Sequence, residues 1–586
     1  FVHGVRFDLS AILYMNSLLI IFHLLPFNIR NKKAYQAFLL GLFVFVNTIA
    51  VLFNIGDIVN FSFAGKRLTA DFFSFISQGD DAKNLGLDFI IDNWYLLFII
   101  ALLVWFMYRF YPRIAKKPLS IAFNIKTFFI QLLIIGITTI LCGLGMRGGL
   151  QYKPIKIIDA GRNTHSSMIP LVLNTPFTIM QTIGKADLEE KHYLEPAIAK
   201  AHFSAMHEST SDSLQPYNVM VIIMESFSKE YIGALNDFEG YTPFLDSLIE
   251  QSLVFDNSFA NGKRSIEGVP SIIASIPALM DNPYITSSYG ANSINSLPSM
   301  LNELGYSTSF FHGGNNGTMG FDAFAELADY QKYYGRNEYN NDAHYDGNWG
   351  IFDEHFFQYL AQESDQVKKP FFHTFFSLSS HHPYTIPEVH KNKFKEGKIP
   401  IHRTIRYADF ALKRFFETAS KMDWFDNTLF VITADHTFKA THKTYKTKVG
   451  NYSIPLIFYH SGKIEAKRSD RYSQQIDIMP SILEYLGYQE PYIAFGESVF
   501  NYQKKGFAIN YINNTYQLIR EDYVLHFNGE ITTAIYHLKN DPLLKKNLIN
   551  TKPELVTRLE KDIQAIIQEY NDRLINNKMT ATLVPR

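Results

Sequence analysis

The sequence predicts a bundle of transmembrane helices followed by an α/β domain, a mainly parallel sheet with helices on both faces. Three observations predict it. Four long apolar runs cluster in the first ~150 residues. From Asn218 onward, short apolar runs alternate with helical stretches, the pattern of strands joined by crossover helices. Carboxylates and histidines stand just after several of those runs, where open parallel sheets gather their ligands.

The membrane part comes first. Segments near Ala11–Phe27, Ala37–Ile55, Trp94–Tyr111 and Thr127–Leu144 approach the ~20 apolar residues needed to cross a bilayer core. The mean hydropathy of −0.06 hides them, because it averages two unlike halves. Arg30, Lys32 and Lys33 follow the first run, and Arg109, Arg113, Lys116, Lys117 and Lys126 follow the third. The loop between the second and third leans acidic, with Asp57, Asp71, Asp80, Asp81, Asp88 and Asp92. The positive-inside rule then makes the two basic segments cytoplasmic and puts Phe1 and everything after Gly148 outside. A cytoplasmic N-terminus would need a fifth span upstream of Phe1.

Residues 150–217 read as a connector. Within it Met168–Ile183 is apolar but broken by Pro170, Asn174 and Pro176, which disfavours a straight span. It is expected to lie at the outer leaflet or to pack on the soluble domain. Residues 1–149 form the membrane domain, 218–500 the catalytic domain and 501–582 a strand-rich subdomain closed by a helix over Pro553–Leu574. Leu583–Arg586 resembles the remnant of a thrombin site and is set aside as a tag scar.

Composition excludes several chemistries. The net charge of −1 gives no case for nucleic-acid binding. Cys142 is the only cysteine, so internal disulfides and cysteine-based metal sites are ruled out, and it is expected to be a small buried hydrophobe.

In the α/β part, Val219–Met224, Ser307–Phe311, Phe371–Leu378, Leu429–Thr433 and Pro455–Tyr459 read as buried strands. Thr242–Gln251, Ser296–Leu304, His402–Ala419 and Asp477–Tyr485 read as helices between them. The first strand runs into Glu225, the second into His312, and the fourth, after Ala434, into Asp435-His436. Carboxylate, carboxylate and imidazole on one sheet edge make an O/N donor set for Zn²⁺ or Mn²⁺. Ser265 follows a Gly-Lys-Arg turn and opens an apolar helix, where positive potential favours an alkoxide or an anion. Lys263 and Arg264 would add charge for a phosphate or sulfate. On this segment alone a plain N-cap is the favoured reading of Ser265; a metal would make it a nucleophile.

An ordered set of motifs carries a family resemblance: VIIMESFS (Val221–Ser228), TPFLDSLIEQSLVFDNSFANGKRS (Thr242–Ser265), FFHGG (Phe310–Gly314), SSHHPY (Ser379–Tyr384), ITADHT (Ile432–Thr437) and QIDIMPSI (Gln475–Ile482). Together they resemble the sulfatase-like enzymes of the alkaline phosphatase superfamily, and within them the lipoteichoic-acid-synthase-like phosphoglycerol transferases. The resemblance implies one divalent metal, Mn²⁺ first with Zn²⁺ and Mg²⁺ as alternatives, held by Glu225, Ser265, Asp435 and His436. It implies Ser265 as nucleophile in a position that is usually Thr. It also implies that His312 and His381, the latter in preference to His382, face the substrate phosphate or leaving group. The family's Trp-Asn-Arg element has no counterpart in Asn315–Asp322, which lacks Trp and Arg.

The expected reaction transfers glycerophosphate from phosphatidylglycerol through a covalent Ser265 intermediate, with His381 as acid for the leaving oxygen. The acceptor would be a glycan, a glycolipid or a polyglycerophosphate chain, and the setting a bacterial cytoplasmic membrane with the catalytic domain outside. Phosphoethanolamine transfer and sulfatase-like hydrolysis are the alternatives. A formylglycine sulfatase is disfavoured because Ser265-Ile-Glu-Gly-Val lacks the C/S-x-P-x-R pattern.

Overall fold

The computed structural model describes residues 3–25, 32–64, 67–70, 73, 92–114, 125–150, 154–155, 160, 169–183, 188–208, 213–287, 289–290 and 292–581. Arg30, Lys116 and Lys117, the acids at 71, 80, 81 and 88, and the tail at 583–586 lie outside the described residues. The chain forms two compact units, one of residues 1–72 and 86–185, the other of 73–85 and 186–586.

In the first unit, α3 (Lys33–Ala64), α4 (Trp94–Ile114) and α5 (Ile125–Arg147) are long and apolar enough to cross a membrane. The first expected span is instead two helices, α1 (Val5–Met15) and α2 (Ser17–Leu24), bent by 62° at Asn16. The cause is local. The Asn16 amide bonds the Ile12 carbonyl at 3.0 Å and exchanges hydrogen bonds with Asn47 on α3 at 3.1 and 2.8 Å. Such a side chain competes with the helix ladder at the point where it bends. Cys142 is half-exposed on α5, not buried as expected.

The Pro-broken segment forms a turn at Ile169–Val172 and the helix α6 (Thr175–Thr182). Asn174 caps α6 by accepting from Phe177 N at 2.9 Å, and Pro176 sits where a missing N–H costs nothing. The segment belongs to the first unit. Phe177 meets Phe7 edge-on at 5.2 Å, and Thr175 donates to Asp57 at 2.9 Å. Asp57 is fully buried and also pairs with Arg67 at 2.8 Å, while Arg67 Nε donates to the Pro170 carbonyl.

The second unit is built on an eight-stranded sheet. Its strands are β1 (Asn218–Met224), β2 (Leu253–Phe259), β3 (Ser307–His312), β4 (Lys332–Tyr334), β5 (Phe371–Phe376), β6 (Thr428–Ala434), β7 (Leu456–Tyr459) and β8 (Lys467–Gln474). Their order is β4-β3-β5-β1-β6-β7-β2-β8, and all are parallel except β7. The unbroken apolar run of β1 follows from burial on both faces. Val219, Val221 and Ile223 join one core and Met220, Ile222 and Met224 the other. Sequence reading underplayed β4 and β8, whose polar edge residues break the apolar pattern.

The expected C-terminal subdomain is a four-stranded antiparallel sheet over 507–537 and a closing helix, Pro553–Ile575. It has no separate core: Phe507, Ile509 and Leu518 pack with the β1 side chains, and Ile563 and Tyr570 of the helix join them. The connector is also divided, since His202 bonds Asp562 on the closing helix at 2.7 Å and so belongs with the second unit.

Candidate metal centre and nucleophile

Parallel register brings the predicted residues to one edge. Met224 pairs with Ala434, so Glu225 and Asp435 leave adjacent strands at the same level. Phe376 pairs with both Ile223 and His312, which lines up the ends of β5, β1 and β3. β2 runs parallel to β6 and delivers Ser265 to that edge as the first residue of α7 (Ser265–Ala274).

Four residues meet there. The Ser265 hydroxyl donates to Glu225 Oε2 at 3.2 Å and lies 3.4 Å from His436 Nε2. His436 Nε2 is 3.2 Å from Asp435 Oδ2 and 3.7 Å from Glu225 Oε1. Glu225, Asp435 and His436 each offer a ligand atom within 4.8 Å of the others. Glu225, Ser265 and Asp435 are buried, at 2%, 3% and 0% exposure, so water does not separate them.

This set fits a cation on its own chemistry. His436 Nδ1 lies 3.0 Å from the Thr437 carbonyl, which requires the proton on Nδ1 and leaves Nε2 as a lone pair. That lone pair points at two carboxylates, and Asp435 Oδ2 has no hydrogen-bond partner among the described residues. Burial, and then the neighbouring Asp435, push the Glu225 carboxyl well above the usual carboxylate range. Converging lone pairs repel one another, and either a proton held on Glu225 or a cation among them relieves that repulsion.

Supporting groups hold the ligands in place. Ser226, with φ 58°, donates its backbone N–H to Asp435 Oδ1 at 2.8 Å and its hydroxyl to Glu225 Oε1 at 2.6 Å. Ser377 Oγ accepts from Glu225 N, and Ser380 Oγ donates to the Glu225 carbonyl. Gln475 donates to the carbonyls of Ala434 and Asp435, both at 2.7 Å, and accepts from Asn261 N. Gly268 permits the closest approach: a Cβ there would press into the Asp435 carbonyl oxygen. The Gln475 motif was visible in the sequence, but its bracing role depends on a contact across the fold.

Both substrate-facing histidines share the tautomer of His436. His312 Nδ1 sits 3.1 Å from the Phe376 carbonyl and His381 Nδ1 3.1 Å from the His382 carbonyl, so each presents Nε2 as an acceptor. Burial, opposed by the hydrogen bond to the His382 carbonyl and helped by nearby His436, pushes His381 down to about 4. Lys263 and Arg264 are occupied by the protein, in contrast to the anion-binding role expected of them. Lys263 Nζ donates to Thr437 Oγ1 at 2.7 Å and to the Asn451 carbonyl at 2.8 Å. Arg264 pairs with Glu267 at 2.7 Å, and Glu267 in turn caps the N–H groups of Lys263 and Arg264.

Two residues that sequence reading missed reach the loop after His312. Trp349 packs its ring 3.9 Å from that of His381, donates Nε1 to the His382 carbonyl at 2.5 Å, and accepts from Asn315 N. Arg336 donates to Asn315 Oδ1 at 2.9 Å and lies over Tyr345 at 3.6 Å. A tryptophan and an arginine from other segments thus contact the loop that follows His312. Only the fold could reveal them.

Comparison with known proteins agrees with this geometry. The sulfatase family model matches residues 217–488. In fold, the chain resembles an alkaline phosphatase superfamily protein from Vibrio parahaemolyticus (TM-score 0.60, 21% identity, 66% of this chain and 96% of that one). It also resembles the lipoteichoic acid synthase LtaP from Listeria monocytogenes (TM-score 0.53, 18% identity, 65% and 98%). Residues 217–488 therefore carry a sulfatase-type domain, and the second unit shares the fold of these structures.

Sequence relatives narrow this. Lipoteichoic acid synthase 1 of Bacillus subtilis is 26% identical over 59% of this chain and 56% of its own length. Lipoteichoic acid synthase of Staphylococcus aureus is 26% identical over 62% and 57%. The chain is similar to these lipoteichoic acid synthases and spans little more than half the length of these curated relatives.

Proposed function

We propose that this protein is a membrane-bound, metal-dependent phosphoglycerol transferase. It moves glycerophosphate from phosphatidylglycerol to a hydroxyl of a glycan, glycolipid or polyglycerophosphate acceptor outside the cytoplasm. The observation that carries this reading is the convergence of a helix-start hydroxyl, Ser265, with a buried, proton-poor donor set of Glu225, Asp435 and His436. A divalent cation bound by those residues, Mn²⁺ before Zn²⁺ or Mg²⁺, would polarise a phosphoryl oxygen and lower the pKa of the Ser265 hydroxyl.

Ser265 Oγ attacks phosphorus, the bond to the diacylglycerol oxygen breaks, and a glycerophosphoryl-serine forms. The Ser265 proton already has an acceptor in Glu225. His381 is neutral at rest; beside the negative charge of the bound phosphodiester its Nε2 takes a proton from water and gives it to the leaving diacylglycerol oxygen. Returned to neutrality, Nε2 takes the proton of the incoming acceptor hydroxyl, which attacks the serine phosphodiester and frees Ser265. Trp349 supplies an aromatic wall beside His381, and Arg336, paired with Asp342 at 2.9 Å, braces the His312 loop through Asn315. The long apolar helices suit a lipid donor.

The test incubates the protein with Mn²⁺ and either phosphatidylglycerol or phosphatidylethanolamine, then weighs the peptide containing Ser265. A glycerophosphate adduct only with phosphatidylglycerol, lost in Ser265→Ala and Glu225→Ala, is the expected result. A phosphoethanolamine adduct would reassign the donor, and no adduct despite bound metal would overturn the transferase reading.

A further inference from the structure

The cations that the sequence offered for phosphate are occupied. Arg264 is paired with Glu267, and Lys263 ties Thr437 to Asn451. A different set of cations stands beside the metal ligands. From Thr437 to Ile464 the chain carries Lys439, Lys443, Lys446, Lys448 and Lys463 and no Asp or Glu, in a protein whose overall charge is −1. The first four lie on one loop, Thr437–Tyr452, that grows directly out of His436.

That loop is built rather than loose. Glu230, itself 3% exposed, accepts from Thr441 N, Thr441 Oγ1 and His442 N at 2.9, 2.6 and 2.6 Å. Ser228 Oγ accepts from Phe438 N at 2.9 Å, and Tyr445 donates to Asn236 at 2.5 Å. Lys263 joins the two ends. Lys439, Lys443 and Lys446 are exposed, while Lys448 is half-buried. None of the four forms an ion pair among the described residues. Burial pushes the Lys448 amine down to about 8, the mark of a cation held where it lacks a counter-charge.

We propose that the Thr437–Tyr452 loop is a docking surface for the polyanionic acceptor, in which Lys439, Lys443, Lys446 and Lys448 bind successive phosphates of a polyglycerophosphate chain and lead its terminal hydroxyl to Ser265. The proposal rests on the transferase reading and names the acceptor class. The metal edge needs one phosphate from the donor, whereas four unpaired lysines on a fixed loop suit a ligand that repeats its charge. An anionic bilayer surface is the rival occupant. It is disfavoured because the loop's fully exposed residues are lysines, while Tyr445 and Tyr452 are buried and Phe438 is half-buried.

The experiment uses the full chain in vesicles of phosphatidylglycerol and phosphatidylcholine. Two variants are compared with wild type: one with all four lysines changed to Gln, and one with only the exposed Lys439, Lys443 and Lys446 changed, which leaves packing untouched. Diacylglycerol release without acceptor reports the donor step, and transfer to a short polyglycerophosphate oligomer reports docking. The expected result is donor release unchanged within about twofold, KM for the oligomer raised about tenfold, and a flatter dependence of that KM on salt. Unchanged KM in both variants would overturn the proposal. So would a fall in donor release that tracks vesicle charge, which would assign the loop to the bilayer. If wild type released no diacylglycerol, the transferase reading would fall. Fluorescence anisotropy of labelled polyglycerophosphate with the same proteins then decides the loop alone: lysine-dependent binding sustains it, and lysine-independent or absent binding overturns it.

Discussion

Replacing Gly268 with alanine tests how closely the nucleophile helix is fitted to the metal edge. A methyl there would overlap the Asp435 carbonyl oxygen and lie 3.0 Å from its carbonyl carbon and 3.1 Å from its Cα. Comfortable carbon contacts begin near ~3.5 Å, so about half an ångström or more must be found. Asp435 cannot easily yield. Its carbonyl is held by Gln475, and it emerges from a strand paired on both sides by β1 and β7. The helix start must move instead, and Ser265 lies three residues away on the same turn.

Two energies compete. Alanine gains about 1 kcal/mol of helix propensity over glycine, against a cost of about 1–3 kcal/mol for overpacking a filled site. Overpacking wins by a small margin, so Tm falls by a few degrees at most. Function is hit harder. Displacing Ser265 from contacts of 3.2 and 3.4 Å is expected to weaken metal binding about tenfold and turnover about a hundredfold. Calorimetric titration with Mn²⁺ and diacylglycerol release measure both. A Gly268→Ala protein with higher Tm and unchanged metal affinity and turnover would refute the close approach and the bracing built on it.

Two sets of buried groups should pull stability in opposite directions as pH changes. Burial depresses His373 to about 3 and His402 and His460 to about 4. The unfolded chain therefore takes up protons that the folded one refuses, and stability is lost as pH falls below the ordinary histidine value. Burial raises Asp353 and Asp409 to about 7 and Asp477 to about 8, so the folded state keeps protons that the unfolded chain has released. Stability from these three is lost as pH rises from the ordinary carboxylate range to about 7–8, and thermal unfolding of Asp477→Asn should show a shallower fall over that interval; an unchanged slope would refute the assignment. Trp349→Phe keeps a ring against His381 but removes the N–H that shares the His382 carbonyl. The freed carbonyl then accepts more strongly from His381, and the acid limb of the kcat–pH profile should move upward as kcat drops about tenfold with KM little changed. A proportional loss of activity with an unmoved profile would mean that Trp349 serves packing alone.

Much of the site was legible in the sequence because its signals are local. An apolar run ending in Glu225, another ending in Ala434-Asp435-His436, and a Gly-Lys-Arg-Ser helix start each report a strand or helix terminus by composition and spacing. Parallel pairing then does the rest, since strands of similar length end at one edge and bring their next residues together. The long apolar runs were equally local, as bilayer thickness sets their length.

What the sequence could not settle depends on partners distant along the chain. Lys263 and Arg264 looked like phosphate ligands until Asn451, Thr437 and Glu267 claimed their hydrogen bonds. Trp349 and Arg336 carry no local signature and gain meaning only where their segments fold over the His312 loop. The bend at Asn16 needs Asn47 from another helix, and the Pro-broken segment found its place because buried Asp57 on α3 was there to receive Thr175. Local pattern determines where a polar group stands on an element. Which group satisfies it is decided when elements meet, because a buried donor, acceptor or charge binds whatever complement the tertiary fold brings within reach.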